Sequence, residues 1–217
     1  MRSLKQRFIR LIIGLFLFSL GIMLTIQANI GYAPWDVFHV GFAKTIGVSL
    51  GTASIVVGLA IGVITLLLGE KLGVGTILNM FLIGIFIDWL IILKIIPMAD
   101  NFFLGILMLL IGLFTIALGS YFYIGSGFGA GPRDSLMVGL TRKTKLPVGL
   151  CRVMIELSAA LVGYKLGGLI GFGTIIAAVA IGFCVQVTFK LLDFDTTTVK
   201  HETLQETLKT IKASSSI

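Results

Sequence analysis

Gly31-Tyr-Ala-Pro-Trp-Asp36 returns, 98 residues later, as Gly129-Ala-Gly-Pro-Arg-Asp134. A second block repeats at the same offset, Gly73-Val-Gly-Thr-Ile77 lying over Gly171-Phe-Gly-Thr-Ile175. Extended without a gap, the offset sets 11–90 over 109–188 and yields 23 identities in 80 pairs. A composition this apolar gives about 7 by chance. Nine of the identities are glycines, at 14, 21, 31, 41, 51, 69, 73, 75 and 84 of the first copy. What was copied is therefore backbone shape and close approach as much as side-chain chemistry. The chain reads as a tandem duplication.

Only 27 of the 217 residues are charged, 57% are hydrophobic, and the mean hydropathy is +1.06. A soluble domain carries about 25% charge. Disorder, a coiled coil and an ordinary soluble globule are excluded, and the solvent for this chain is the bilayer. The charges avoid five windows, 11–35, 45–69, 72–87, 101–131 and 166–189. About 20 helical residues cross a hydrocarbon core. Spans are expected near 11–30, 50–69, 72–93, 104–125, 148–166 and 170–190, the fifth apolar except for Arg152 and Glu156. The first span follows Arg2, Lys5, Arg7 and Arg10, as a signal peptide would. Its apolar run exceeds an h-region of about 7–15 residues, so it is expected to remain as a span.

Three spans per copy invert the second copy relative to the first, the plan of many secondary transporters. With the N-terminus inside, the inner face receives Arg2, Lys5, Arg7, Arg10, Lys71, Arg133, Arg142, Lys143, Lys145 and Lys190, and the outer face only Lys44, Lys94 and Lys165. That excess fits the positive-inside rule, with Trp35 and Trp89 in the outer aromatic belt. The fold expected is an all-α membrane protein of six transmembrane helices. They form two inverted three-helix repeats, each with a short re-entrant or interfacial helix. A basic N-terminus (1–10) precedes repeat 1 (11–93), and repeat 2 (104–192) precedes a polar tail (193–217). The rival reading makes both Pro-Asp segments full spans, giving eight crossings and a parallel repeat. The charges of 132–145 make that segment too polar to face lipid.

Proline suits the first turn of a helix, and an aspartate two residues later favours its positive end. Pro34/Asp36 and Pro132/Asp134 thus read as two helix starts, with Gly31 and Gly129 making the turns that lead in. The aspartates either cap their helices or stand where two half-helices offer their N-termini to a solute, ion or coupling proton. Differences between the copies mark further candidates. Arg152 overlies Ser54 and Glu156 overlies Gly58. Four residues apart on one helix face, the two can pair. A carboxylate within a span is by default a functional candidate. Asp88 overlies Gln186 as a polar position on the third span of each copy. Asn79, Gln27 and Asn29 are weaker candidates, and His39 reads as an interfacial residue.

Gly125-Ser-Gly-Phe-Gly-Ala-Gly131 follows a membrane span and not a strand, so it is no dinucleotide fingerprint. No catalytic or metal signature occurs, and neither an enzyme nor a cofactor is expected. Cys151 and Cys184 lack motif spacing and read as buried small residues. The net charge of +7 gathers at span ends. It orients the chain in a membrane and does not signal nucleic acid. In the tail, Leu204, Leu208 and Ile211 form a weak amphipathic stripe suited to the inner surface, if the tail is ordered.

At 31–37, Gly-Tyr-Ala-Pro-Trp-Asp-Val, followed by Gly47-Val-Ser-Leu-Gly-Thr-Ala-Ser54, the sequence resembles the bacterial YczE/YyaS/YitT group of integral membrane proteins, nearest its YczE members. The resemblance runs to about residue 192 and implies a small bacterial inner-membrane protein; the charge excess and the six-span plan put both termini on the cytoplasmic side. It supplies no site residues, and the extra cytoplasmic domain of YitT-like members has no room here. The expected function is that of a permease-like secondary transporter for a small solute. The alternative is an accessory or scaffold protein that transports nothing. The partners expected are the lipid bilayer, a small solute and, as an option, further copies of the chain. In a variant without Cys151 and Cys184, single cysteines beside Lys44 and Lys94 should react with an impermeant thiol reagent from outside. Those beside Lys71 and Lys143 should not, and outside labelling at Lys71 would overturn the six-span orientation.

Overall fold

The computed structural model describes residues 3–199 and 201–214; Arg2, one of the charges assigned to the inner face, lies outside them. Among the described residues the fold is wholly helical. Its helices are α1 (Leu4–Gln27), α2 (Pro34–Ile46), α3 (Leu50–Leu67), α4 (Val74–Leu93), α5 (Phe102–Ile124), α6 (Pro132–Thr144), α7 (Val148–Lys165), α8 (Phe172–Leu191) and, after a short 3-10 turn, α9 (Leu204–Ser214). Five of them, α1, α3, α4, α5 and α8, are long and apolar enough to cross a membrane. This is a multi-pass membrane protein. Helix α7 matches α3 in length but carries Arg152, Glu156 and Lys165. Helices α2 and α6 have 13 residues each. At 1.5 Å per residue they reach about 20 Å, short of a 30 Å core.

Helices α1 and α5 form the central pair. Gly14 lies on Gly119 and Gly21 on Gly112, so the two run antiparallel. A Cβ at Gly21 would stand 2.7 Å from the Gly112 carbonyl oxygen, and one at Gly112 would stand 2.9 Å from that of Gly21. Hydrocarbon supplies no hydrophobic drive between helices, so this backbone proximity is what joins them. Leu11, Leu15, Leu109 and Leu113 flank the crossing and are almost wholly buried.

The two halves repeat their backbone in detail. Positive φ recurs at the 98-residue offset, at Asn29 and Gly127, Gly31 and Gly129, Gly47 and Lys145, and Gly69 and Gly167. Each half also closes on the other through reciprocal bonds. The Gly75 amide donates to the Phe128 carbonyl (2.8 Å) and the Gly173 amide to that of Ile30 (2.7 Å). The hydroxyls of Thr76 and Thr174 accept from the amides of Gly73 and Gly171. The repeated Gly-x-Gly-Thr block is thus the means by which the start of α4 or α8 grips the loop of the opposite half. At Gly31 and Gly129, with φ of 112° and 119°, the chain turns in a region only glycine enters freely.

One correspondence fails. Helices α3 and α4 pack together, with a Cβ at Gly84 only 2.4 Å from the Gly51 carbonyl oxygen. Asp88 fastens the pair, accepting from the Gly51 amide (2.8 Å) and the Ser49 hydroxyl (2.5 Å) at the positive end of α3. Helices α7 and α8, the corresponding pair, stand apart. A Cβ at either Gly149 or Gly182 would meet no atom within 4 Å. Gln186 and Pro147 replace Asp88 and Ser49 there, so the fastening cannot form.

The tail folds back on the loops it follows. The Glu202 amide donates to the Gly127 carbonyl, the Leu204 amide to that of Leu72, and Arg7 pairs with Glu202. Leu204 and Leu208 are exposed on α9; the side chain of Ile211, the third residue of the expected stripe, lies outside the described residues.

Opposite outcomes are expected for equivalent glycines. Gly84→Ala must push its new methyl against backbone and should destabilise by about 1–3 kcal/mol. Gly182→Ala meets open space and should gain up to about 1 kcal/mol of helix propensity. Thermal unfolding of the two variants in one detergent measures the difference.

Candidate functional site

Pro34 and Pro132 are the first residues of α2 and α6, so both expected helix starts occur where the proline pattern places them. The residues before them, Ala33 and Gly131, make no side-chain capping bond. The first turns of both helices line a shared cavity of about 280 Å³, to which every helix from α1 to α8 contributes. Its lining pairs equivalent positions of the two halves: Pro34 with Pro132, Trp35 with Arg133, Asp36 with Asp134, Ser54 with Arg152, and Gly58 with Glu156. The rest of the lining is largely apolar, with residues such as Ile22, Ile61, Met80, Ile83 and Ile181.

Trp35 and Arg133 occupy equivalent positions and touch. The Arg133 guanidinium lies 4.7 Å from the centre of the indole ring, a cation–π contact, and one of its nitrogens is 3.5 Å from the His39 ring. Arg133 forms no ion pair within 4 Å among the described residues. Asp36 is 3% exposed, and its Oδ1 accepts no hydrogen bond. That oxygen stands 3.7 Å from His39 Nδ1, beyond hydrogen-bond reach. Asp134 is accessible from the cavity and likewise makes no ion pair within 4 Å among the described residues. Neither aspartate hydrogen-bonds an N–H of its own helix, so the two do not cap by hydrogen bonding. The Tyr123 hydroxyl is also sealed without a hydrogen bond, Thr76 Oγ1 being committed to the Ala130 carbonyl.

The Arg152–Glu156 pair forms as its spacing suggests, with Arg152 Nε donating to Glu156 Oε1 at 3.0 Å. Arg152 is half exposed and Glu156 mostly covered, and both line the cavity. Asp88 and Gln186 lie outside it. Asp88 holds α3 to α4, as described above, and Gln186 is exposed on α8. Of the weaker candidates, Asn79 lines the cavity, whereas Gln27 holds the Ile96 carbonyl and Asn29 shapes a turn.

Three residues are placed differently from their sequence reading. His39, read as interfacial, is 3% exposed and faces Arg133. Trp35, assigned to an aromatic belt, and Arg133, counted as an inner-face charge, both line the cavity. The available signal was their position, inside or beside a duplicated block, at matching offsets from the two prolines. His201, in the tail, lies within the field of Asp134; its own burial holds its imidazole below the ordinary value while that carboxylate pulls it up. Among the described residues no cluster of histidine, cysteine and carboxylate side chains could hold a metal ion.

Removing Arg152 alone leaves Glu156 without its partner. Arg152→Met should therefore cost more than about 1 kcal/mol, and Arg152→Met with Glu156→Leu should return to within about 0.5 kcal/mol of the parent. Melting temperatures of the single and double variants check this, and a double variant worse than the single would contradict it.

Residues 5–190 match the model of a family described as a family of unknown function, DUF6198. The chain is 35% identical over 187 residues to the uncharacterized membrane protein YczE of Bacillus subtilis, covering 83% of this chain and 86% of that protein. It is 32% identical over 185 residues to an uncharacterized protein of Haemophilus influenzae, covering 83% and 84%. To the uncharacterized protein YyaS of B. subtilis it is 27% identical over 183 residues, covering 83% and 91%. No solved structure matches.

Proposed function

The chain belongs to the DUF6198 family, and from that footing we propose that it is a permease-like protein of the bacterial inner membrane, a secondary transporter of a small solute. In this reading α7 is a sixth span, its charged residues turned to the cavity and the span ends. The two halves are inverted repeats with both termini cytoplasmic. The antiparallel α1–α5 crossing, the matched positive-φ positions and the reciprocal Gly75 and Gly173 bonds support that arrangement. Helices α2 and α6 are half-helices that bring their positive ends to the solute.

The observation that carries the reading is the unmet charge between the two half-helices. Asp36, Arg133 and Asp134 stand around one cavity with no ion pair among them closer than 4 Å. Ionisable groups held this way inside a membrane protein are costly, and they mark solute or ion pathways. A scaffold needs no such cost. In this reading the solute crosses without chemical change.

The test begins with thermal unfolding of the purified protein against a metabolite panel. A solute at 100 times its Kd adds about 2.7 kcal/mol. Uptake of a stabilising solute into reconstituted vesicles follows. Asp36→Asn and Asp134→Asn should each cut uptake at least about tenfold, while the lost helix-end charge lowers stability by only about 0.3–1 kcal/mol. Full uptake in both variants would move the site elsewhere. No uptake of any stabilising solute by the parent would favour an accessory role.

A further inference from the structure

The cavity has a side door. On one side α3 and α4 are shut by the Gly51–Gly84 contact and the Asp88 bonds. On the opposite side the equivalent glycines Gly149 and Gly182 face open space. The cavity runs to the edge of this gap, for Arg152, Ile155 and Glu156 of α7 and Ala178, Ile181 and Val185 of α8 all line it. The outer faces of the same helices are apolar and exposed, Leu157 by 57% and Val179 by 76%. In a membrane these faces meet acyl chains and not water.

The charges inside select a head group. Among the described residues Arg133 has no carboxylate within 4 Å, and the buried Asp36 Oδ1 accepts no hydrogen bond, its nearest basic neighbour being the His39 ring at 3.7 Å. Asp134 is open to the same space. A cation and two carboxylates side by side, with no ion pair among them closer than 4 Å, fit a ligand that carries both signs. A phosphate would pair with Arg133 bidentately, and an ammonium would lie between Asp36 and Asp134. The volume sets a further limit. About 280 Å³ is at the small end for ligand pockets, enough for a head group but not for two acyl chains. The chains must stay outside, and the α7–α8 gap is where they can.

We propose that the cavity binds the zwitterionic head of a phospholipid admitted sideways from the bilayer between α7 and α8, the acyl chains remaining in that gap. The inference rests on the reading of the cavity as a solute site and gives that solute a class. Its test is binding and not transport, so the two can fail separately.

The full-length protein, stripped of lipid in detergent, is titrated with dihexanoyl phosphatidylethanolamine, dihexanoyl phosphatidylglycerol and O-phosphoethanolamine. Melting temperature and Trp35 fluorescence, read in a Trp89→Phe background, are followed. Phosphatidylethanolamine should raise the melting temperature saturably, with phosphatidylglycerol at least about tenfold weaker because it lacks the ammonium. Arg133→Gln and Asp134→Asn should each weaken the first lipid about tenfold. Gly182→Phe has free space at its Cβ and directs a ring into the gap, so it should not lower the unliganded melting temperature while abolishing the lipid response. Equal responses to the two lipids would overturn recognition of the zwitterion. An undiminished response in Gly182→Phe would overturn the sideways route, as would dimerisation through the gap that Gly182→Phe abolishes without affecting lipid. A response to O-phosphoethanolamine equal to that of the lipid would overturn the lipid source while leaving the permease intact. Lipid binding as expected, with no transport in vesicles, would overturn the permease and leave the lipid site standing.

Discussion

Everything in this molecule hangs on the distance between two backbones. Where α1 crosses α5, carbonyl oxygens of one helix occupy the space a methyl group would fill on the other. Lipid chains compete on equal terms with side chains for apolar contact, so association comes from fit and not from escape from water. A crossing this close fixes the antiparallel relation of the two halves. It also fixes where their loops meet, and so where the two proline-started helices point. The cavity is a by-product of that geometry: neither 13-residue helix fills the layer, and the unfilled remainder lies between them.

Much of this was legible in the sequence because it depends on glycine. Identical glycines at a fixed offset exposed the duplication, and each of Gly14, Gly21, Gly31, Gly73 and their partners lies at a contact or turn a side chain would obstruct. The spans drawn from the charge-free windows match the long helices to within a few residues, though the N-terminal turns of α1, with Lys5, Arg7 and Arg10, reach beyond the apolar run. The Arg152–Glu156 pair was readable because it is local, one turn of one helix. What resisted reading was long-range. Trp35 and Arg133 share a register but lie far apart in the chain, and only packing places one over the other. Generic rules sent both to the interface, where such side chains usually sit. His39 followed for the same reason.

The failure of symmetry is as informative as its success. Had Asp88 and Ser49 been kept in both copies, α7 would be fastened to α8 and the charged cavity closed on both sides. Instead the second copy holds Pro147 and Gln186 at those positions and gains Arg152 and Glu156 on the wall that opens. The ionic residues are thus concentrated on the less fastened half.

The same asymmetry bears on how the molecule is made. Residue 112 emerges from the ribosome about 90 residues after residue 21, and at roughly 5–20 residues per second that interval is about 5–20 s. Throughout it the glycine face of α1 has no α5 to rest on. The first half must hold its shape in the membrane with what it has, which is the α1–α4 packing and the Asp88 fastening of α4 to α3. The second half is born beside a finished template and can leave its own outer pair unfastened. The lock that the second half does without is the scaffolding of a half-built molecule.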